Sequence, residues 1–376
     1  MIKILFFIPG LSEGGAEKVL RSLVNNMDQS EFDITVHTIA EEQPEKYLVP
    51  GIHYKAINRC KNPLFRKIFQ YWIRLCAELK VLYPLYIKDD YDIEVAYLET
   101  AATKIIAQST NKNAKKLAWV HCDLSKKEGM EKVVDKVRRQ YKQYDKIVCV
   151  SEDVRSGFYK LLGQDFNTVV VNNVIDDAEI NIKAKEPIDC QANSDEVQLM
   201  AVGRLSPEKN YEHLIMTCGK LKREGIRFHL NILGGGPEKD HLFQIIHDLK
   251  LDQNITLKGH VDNPYPWMKK ADIIICSSKY EGLSTVIQEA MILGKAIITT
   301  PCGGMRDLLG ESEYGMIIDF SEDGLYKGLY RMIDSEDLRC FYSKKAKERS
   351  RLFSKTAVIG ATQELFTKTS HTNKVC

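Results

Sequence analysis

Short apolar runs alternate along the chain with amphipathic segments of helical period. IKILFFI, Ile2–Ile8, reads as a buried strand, and residues 16–27 read as the helix after it. Residues 33–39, 93–97, 116–120, 146–150 and 168–171 continue the series of strands. Strands that are apolar almost throughout belong in a parallel sheet covered on both faces. Their alternation with helices predicts a doubly wound α/β domain over residues 1–175. The pattern lapses at residues 176–196, DDAEINIKAKEPIDCQANSDE, which are polar, acidic and strand-poor and read as an interdomain connection. It then restarts, with strands expected at 198–202, 227–233, 254–258, 272–276, 296–300 and 316–318 and a last helix near 335–350. Residues 197–350 thus form a second Rossmann-like domain. Two such domains facing a central cleft would present the carboxyl ends of their strands to it, where open α/β sheets bind ligands.

Composition narrows the function classes. A chain of 376 residues suits two domains of ordinary size. A net charge of +2 argues against nucleic acid as a partner. Ten cysteines without a CxxC pair fit reduced thiols in a cytoplasmic protein. The opening MIKILFFIPGL has no small-residue cleavage site and is soon followed by Glu13, so a first strand is the better reading than a signal peptide. No run of about 18 apolar residues predicts a transmembrane helix. Asp90-Tyr91-Asp92 has the look of a metal-binding DxD, but it precedes its strand and reads as a turn, so no metal is expected.

Strand-to-helix loops carry the candidate chemistry. In PGLSEGGAEKV, residues 9–19, Gly14 and Gly15 let the backbone approach a ligand, and the following helix would aim N–H groups at an anion. The loop is neither GxGxxG nor a P-loop, so a plain tight turn stays open. A nicotinamide site using Glu41 or Glu42 has the wrong glycine spacing. In VGRLSPEKNYEHLI, Ser206 reads as a helix cap with Pro207 at the first position. Arg204 and Lys209 then flank a helix N-terminus, an arrangement suited to a diphosphate, although two unrelated surface cations are the plainer alternative. In ILGGGPEKDHL, Gly234, Gly235 and Gly236 follow a strand and Pro237 opens a helix.

The loop KYEGLSTVIQEAMILGK poses a choice between two roles for Glu281 and Glu289. Thr285 and Gln288 fit a capping box, and Gly294 ends the helix. Glu281 then lies in the loop and Glu289 just beyond the first turn, with the N–H groups of residues 283–285 facing the cleft. On one helix the pair would be about 12 Å apart, whereas glycosidase carboxylates sit roughly 5–9.5 Å apart. Separate roles are favoured, and an acid/base pair stays open because the loop could fold back. His121 in WVHCDL leaves a strand at its carboxyl end, as a site residue or a structural one, and the adjacent Cys122 points the other way. Residues 59–88 hold seven Lys or Arg against one Glu, interleaved with Phe65, Phe69, Tyr71, Trp72, Tyr83 and Tyr86. This suits an anionic membrane surface or a lipid-linked phosphate, or else an ordinary half-buried helix.

Taken in order, these motifs resemble the retaining glycosyltransferases of family 4, which have the GT-B fold. The N-terminal half offers IPGLSEGGAEKVL, WVHCDL, KIVCVSEDVRSGF and VVVNNVID. The C-terminal half offers VGRLSPEKNYEHLI, ILGGGPEKDHL, LKGHVDN, ADIIICSSKYEGLSTVIQEAMILGKAIITT and PCGGMRDLL. Asn172-Asn173-Val174 departs from the Asn-Gly of many members, and residues 283–286 from their Phe- or Pro-rich version. The resemblance implies a nucleotide-sugar donor, UDP-linked by family frequency, and no cofactor. It places Arg204 and Lys209 on the donor diphosphate, Glu289 on the ribose, and Glu281 with the N–H groups of Gly282, Leu283 and Ser284 around sugar and phosphate. His121 would face the sugar from the other domain, Gly14 and Gly15 would sit by phosphate and acceptor, and the Val261 backbone would meet the base. The tail, residues 351–376, would return to the first domain. The implied activity is hexose transfer to a saccharide hydroxyl, the acceptor being undecaprenyl-linked or otherwise lipid-borne. It would serve bacterial surface-polysaccharide assembly at the inner face of the cell membrane. A glycoside hydrolase, a dinucleotide oxidoreductase and a non-catalytic nucleotide-sugar binder are the rival readings.

Overall fold

The computed structural model describes all residues except 12–13, 59–62, 128, 189–194 and 372–376. The chain divides into two compact units, one of Met1–Val174 with Lys355–Cys376 and one of Ile175–Ser354. Each is a parallel sheet flanked by helices.

In the first unit the strands are β1 (Ile2–Ile8), β2 (Phe32–Ala40), β3 (His53–Asn58), β4 (Ile93–Ala96), β5 (Lys115–Val120), β6 (Lys146–Cys149) and β7 (Thr168–Val170). Their order is β3-β2-β1-β4-β5-β6-β7, and every pair is parallel. Leu5 to Ile8 are wholly buried because β1 is central and covered on both faces. The edge strand β3, HYKAIN, is absent from the sequence reading. Its first four residues are partly or fully exposed, so it has no apolar run to betray it. The helix Lys355–His371 completes this unit. Its Phe366 is fully buried, with ring centroids 5.7 Å from Phe6, 6.1 Å from Trp119 and 6.4 Å from Phe32.

The second unit has β8 (Val197–Val202), β9 (Phe228–Leu233), β10 (Ile255–Gly259), β11 (Ile273–Cys276), β12 (Ala296–Thr299) and β13 (Met316–Ile317), in the order β10-β9-β8-β11-β12-β13. Leu199, Ala201, Ile273 and Ile275 share one core with Leu214, Ile215, Cys218 and Leu221 from the helix Tyr211–Arg223. The segment read as a polar connection begins with a helix, Asp177–Lys183. The Asp176 carboxylate caps it by accepting the Glu179 N–H, and the Asn263 amide donates to the Lys183 carbonyl at 3.0 Å.

In both sheets the chain winds outward from a central strand in one direction and then in the other. The reversal falls between β1 and β4 in the first unit and between β8 and β11 in the second. Loops at the carboxyl ends of the strands meet there, where such sheets bind ligands.

Candidate active site

At the reversal point of the second unit, the loops after β8 and β9 pack backbone against backbone. The Leu205 N–H donates to the Gly235 carbonyl at 2.9 Å. A Cβ on Gly234 would lie 1.8 Å from the Gly203 carbonyl oxygen, and one on Gly236 would lie 2.3 Å from that of Leu205. These glycines therefore permit loop-on-loop packing, while a Cβ on Gly235 would meet nothing within 4 Å. Pro237 does not open the next helix, which starts at Lys239 after a turn.

The segment after Arg204 also differs from its sequence reading. Pro207–Lys209 is a single 3₁₀ turn, and Asn210, at φ 57°, breaks it from the helix Tyr211–Arg223. The Ser206 hydroxyl donates to the Glu208 carboxylate at 2.5 Å and does not cap a helix. Neighbouring contacts pin the turn. The Ser277 hydroxyl donates to the Lys209 carbonyl at 2.7 Å, and the Lys279 N–H donates to the Glu208 carbonyl at 2.8 Å. Tertiary hydrogen bonds thus override the local cap signal.

This turn delivers Lys209 to Glu281. The ammonium lies 2.5 Å from the carboxylate, both side chains being largely buried. The Ser278 hydroxyl donates to the same oxygen at 2.8 Å, and the Cys276 thiol approaches it at 3.9 Å. Burial pulls the lysine pKa down, but the charges of Glu281 and Cys276 more than offset it and leave it raised, so Lys209 is a fixed cation. The neighbouring Cys302 thiol lowers the Cys276 pKa below its ordinary value, against the opposing effects of burial and Glu281. Arg204 is exposed at the carboxyl end of β8.

Ser284 caps the helix Thr285–Ile292 by accepting the Ile287 N–H at 3.5 Å, one residue earlier than the capping box implied. Gly303 and Gly304 let the loop after β12 lie against Glu281, Gly282 and Leu283. Added Cβ atoms there would come within 2.6 Å of the Glu281 carbonyl and 2.2 Å of the Gly282 carbonyl. The backbone of Glu281, Gly282 and Leu283 is therefore packed against this loop. Glu289 is buried on that helix and accepts a hydrogen bond from the Tyr265 hydroxyl at 3.3 Å. Glu281 and Glu289 thus have separate partners. Val261, beyond the edge strand β10, is partly buried.

The first unit presents its own strand-end loops. Gly14, at φ 110°, precedes the helix Gly15–Val24, which ends three residues earlier than its apolar pattern implied. The ring of His121 lies 4.9 Å from that of Tyr97, and its Nε2 is buried without a hydrogen-bond partner. Burial lowers the imidazole pKa against the opposing charge of Glu99 and a hydrogen bond with the Tyr97 backbone. Glu99, absent from the sequence reading, accepts the backbone N–H groups of His121 and, at 2.9 Å, Cys122. Its position just past β4 is the signal that would have found it. Among the described residues, no group of three His, Cys, Asp or Glu side chains is arranged to hold a metal ion. No helix among them is long and apolar enough to cross a membrane.

Comparison with known proteins identifies the family and the fold. Residues 13–179 match the family described as Glycosyltransferase Family 4, and residues 183–349 match Glycosyl transferases group 1. The chain is 28% identical over 379 aligned residues to a Campylobacter jejuni enzyme, covering 95% of this chain and 97% of that one. That enzyme is the N-acetylgalactosamine-N,N'-diacetylbacillosaminyl-diphospho-undecaprenol 4-alpha-N-acetylgalactosaminyltransferase. In fold, the chain is similar to Anabaena HepE, solved with UDP and glucose, at a TM-score of 0.76 and 18% identity, covering 98% of this chain and all of that one. It is also similar to a sucrose-phosphate synthase from Thermosynechococcus elongatus, at a TM-score of 0.77 and 16% identity, covering 98% and 99% of the two chains. With two Rossmann-like sheets and both family matches laid end to end, the chain belongs to the family 4 glycosyltransferases of the GT-B fold.

Proposed function

We propose that this glycosyltransferase moves a hexose from a nucleoside diphosphate to a hydroxyl of a lipid-linked saccharide, with retention and without a metal. The observation that carries the reading is the Lys209–Glu281 pair at the reversal point of the second sheet, with Arg204 exposed on the adjoining loop. A cation already fixed in place stabilises a leaving diphosphate without reorganising during the reaction. Arg204 would add a planar fork donor for phosphate oxygens.

As the glycosidic bond of the donor breaks, its electrons pass to the diphosphate, whose charge Arg204 and Lys209 neutralise. The departing phosphate oxygen takes the proton of the acceptor hydroxyl while the oxygen of that hydroxyl bonds to the anomeric carbon on the same face. No carboxylate nucleophile is required, which suits a Glu281 already engaged by Lys209 and Ser278. We assign Glu281 and the N–H groups of Gly282, Leu283 and Ser284 to the transferred sugar and adjoining phosphate. Glu289 is assigned to the ribose, the Val261 backbone to the base, His121 to the sugar, and Gly14 and Gly15 to the phosphate and acceptor. UDP is the first choice of nucleotide, being the one solved with the Anabaena neighbour. The Campylobacter relative is named for an α-linked product on a diphospho-undecaprenol carrier, which supports both retention and a lipid-linked acceptor. The reaction would take place at the cytoplasmic face of the membrane.

Arg204→Ala and Lys209→Ala are each expected to lower kcat by about 10²–10³-fold, as loss of one transition-state donor does. Circular dichroism should be unchanged. Glu289→Ala is expected chiefly to weaken nucleoside diphosphate binding in calorimetry. Wild-type turnover in Arg204→Ala would end the assignment. Release of free sugar from a simple glycoside without nucleotide would favour a hydrolase instead.

A further inference from the structure

We infer that Glu99 is a positioning residue for the transfer reaction, acting through the loop that carries His121. The inference rests on the proposed role of His121 and goes beyond it to a residue outside the assigned site.

Glu99 follows β4, on one side of the reversal point of the first sheet, and His121 follows the neighbouring β5. The Glu99 side chain is almost fully buried. One carboxylate oxygen accepts the backbone N–H of His121 and that of Cys122 at 2.9 Å. These are the first two residues beyond β5. A charged acceptor shared by consecutive N–H groups fixes the direction in which a loop leaves its strand.

The backbone beside Glu99 is strained in a way consistent with this task. Thr100 has φ 75° and ψ −94°, which a β-branched residue rarely adopts. Its carbonyl is held by the Lys104 N–H at 3.0 Å and the Thr103 hydroxyl at 3.1 Å, so the turn is anchored to the helix Ala101–Ile106. The strain turns the chain sharply at the point where the carboxylate must reach across to the β5 loop. His121 is placed in turn. Its ring packs against Tyr97 and its buried Nε2 has no protein partner, as suits a group reserved for a substrate oxygen.

The test is a double-mutant cycle on the full-length protein with Glu99→Ala, Glu99→Gln, His121→Ala and the Glu99→Ala/His121→Ala pair. Glu99→Ala should lower kcat at least tenfold, with unchanged calorimetric affinity for the nucleoside diphosphate. Glu99→Gln keeps an acceptor and should retain more activity, which carries the test if the alanine variant does not fold. The double variant should be no slower than His121→Ala alone. If His121→Ala is impaired but Glu99→Ala and Glu99→Gln are wild-type, or the two losses multiply, the positioning role is overturned while the role of His121 stands. If His121→Ala itself turns over normally, the role of His121 fails and the inference falls with it.

Discussion

Glu94, on β4, illustrates how one buried carboxyl couples stability to pH. It is fully buried, accepts the Tyr83 hydroxyl at 2.5 Å, and leaves its second oxygen without a partner. Burial pushes its pKa above the ordinary carboxylate range, against hydrogen bonds from Tyr83 and Ser109 and the charge of Lys116. The unfolded chain loses this proton near pH 4.3, and the folded one keeps it to higher pH. The stabilisation from protonated Glu94 is thus complete below the unfolded value and is lost as pH rises through the folded one. Glu94→Gln removes the charge and keeps the shape. It is expected to raise the melting temperature by about 2–4 °C at pH 7, the response of a domain this size to ~1 kcal/mol, and by less at pH 4. Equal gains at both pH values would mean that ionisation of Glu94 is not the cause. In the sequence IEVAYLET, Glu94 and Glu99 look alike, and neither stood out. Their burial is decided by β1, β5 and distant helices, which a single chain read locally does not reveal. Lys209 and Glu281, 72 residues apart, were each legible from their loops, but their pairing was not.

At the level of elements, apolar runs made the central strands readable, with ends within a residue or two of those observed. Strand β3 escaped because it lies at an exposed edge. Helix starts were less legible. Ser206 and Thr285 both carry cap-like patterns, yet one belongs to a 3₁₀ turn tied to the β11 loop and the other follows the actual cap, Ser284. Capping signals are worth about 1 kcal/mol, which several tertiary hydrogen bonds outweigh. The three-glycine run invites a finer test. Gly234→Ala would place a methyl group against the Gly203 carbonyl at φ 145° and is expected to cost more than ~2 kcal/mol in urea unfolding. Gly235→Ala, with open space at its Cβ, should be nearly neutral. Similar losses at both positions would remove loop-on-loop packing as the reason for these glycines.

For the whole molecule, the unresolved choice at residues 59–88 turns on the helix Pro63–Glu78. Its Ile73, Cys76 and Ala77 pack into the core with Leu82 and Tyr83. Tyr71, Trp72 and Leu75, with Leu79 just beyond the helix, are exposed at helical spacing. One face is therefore ordinary core, and the other carries an apolar strip of the kind that enters a lipid interface, which is the part of the membrane reading open to test. The side chains of Arg66, Lys67 and Arg74 lie outside those described. We expect Trp72→Ser/Leu75→Ser to lower co-sedimentation with anionic vesicles at least several-fold, leaving transfer to a soluble acceptor analogue intact. Equal sedimentation of wild type and variant would count against membrane docking by this face.

The path of the chain through the two units has a consequence for biosynthesis. Residues 175–354 are an insertion within the first unit, whose aromatic core is closed by Phe366. During translation Phe6, Phe32 and Trp119 must wait for that ring until the whole second unit has emerged. The second unit, continuous in sequence, has no such wait. The domain made first is therefore the one finished last.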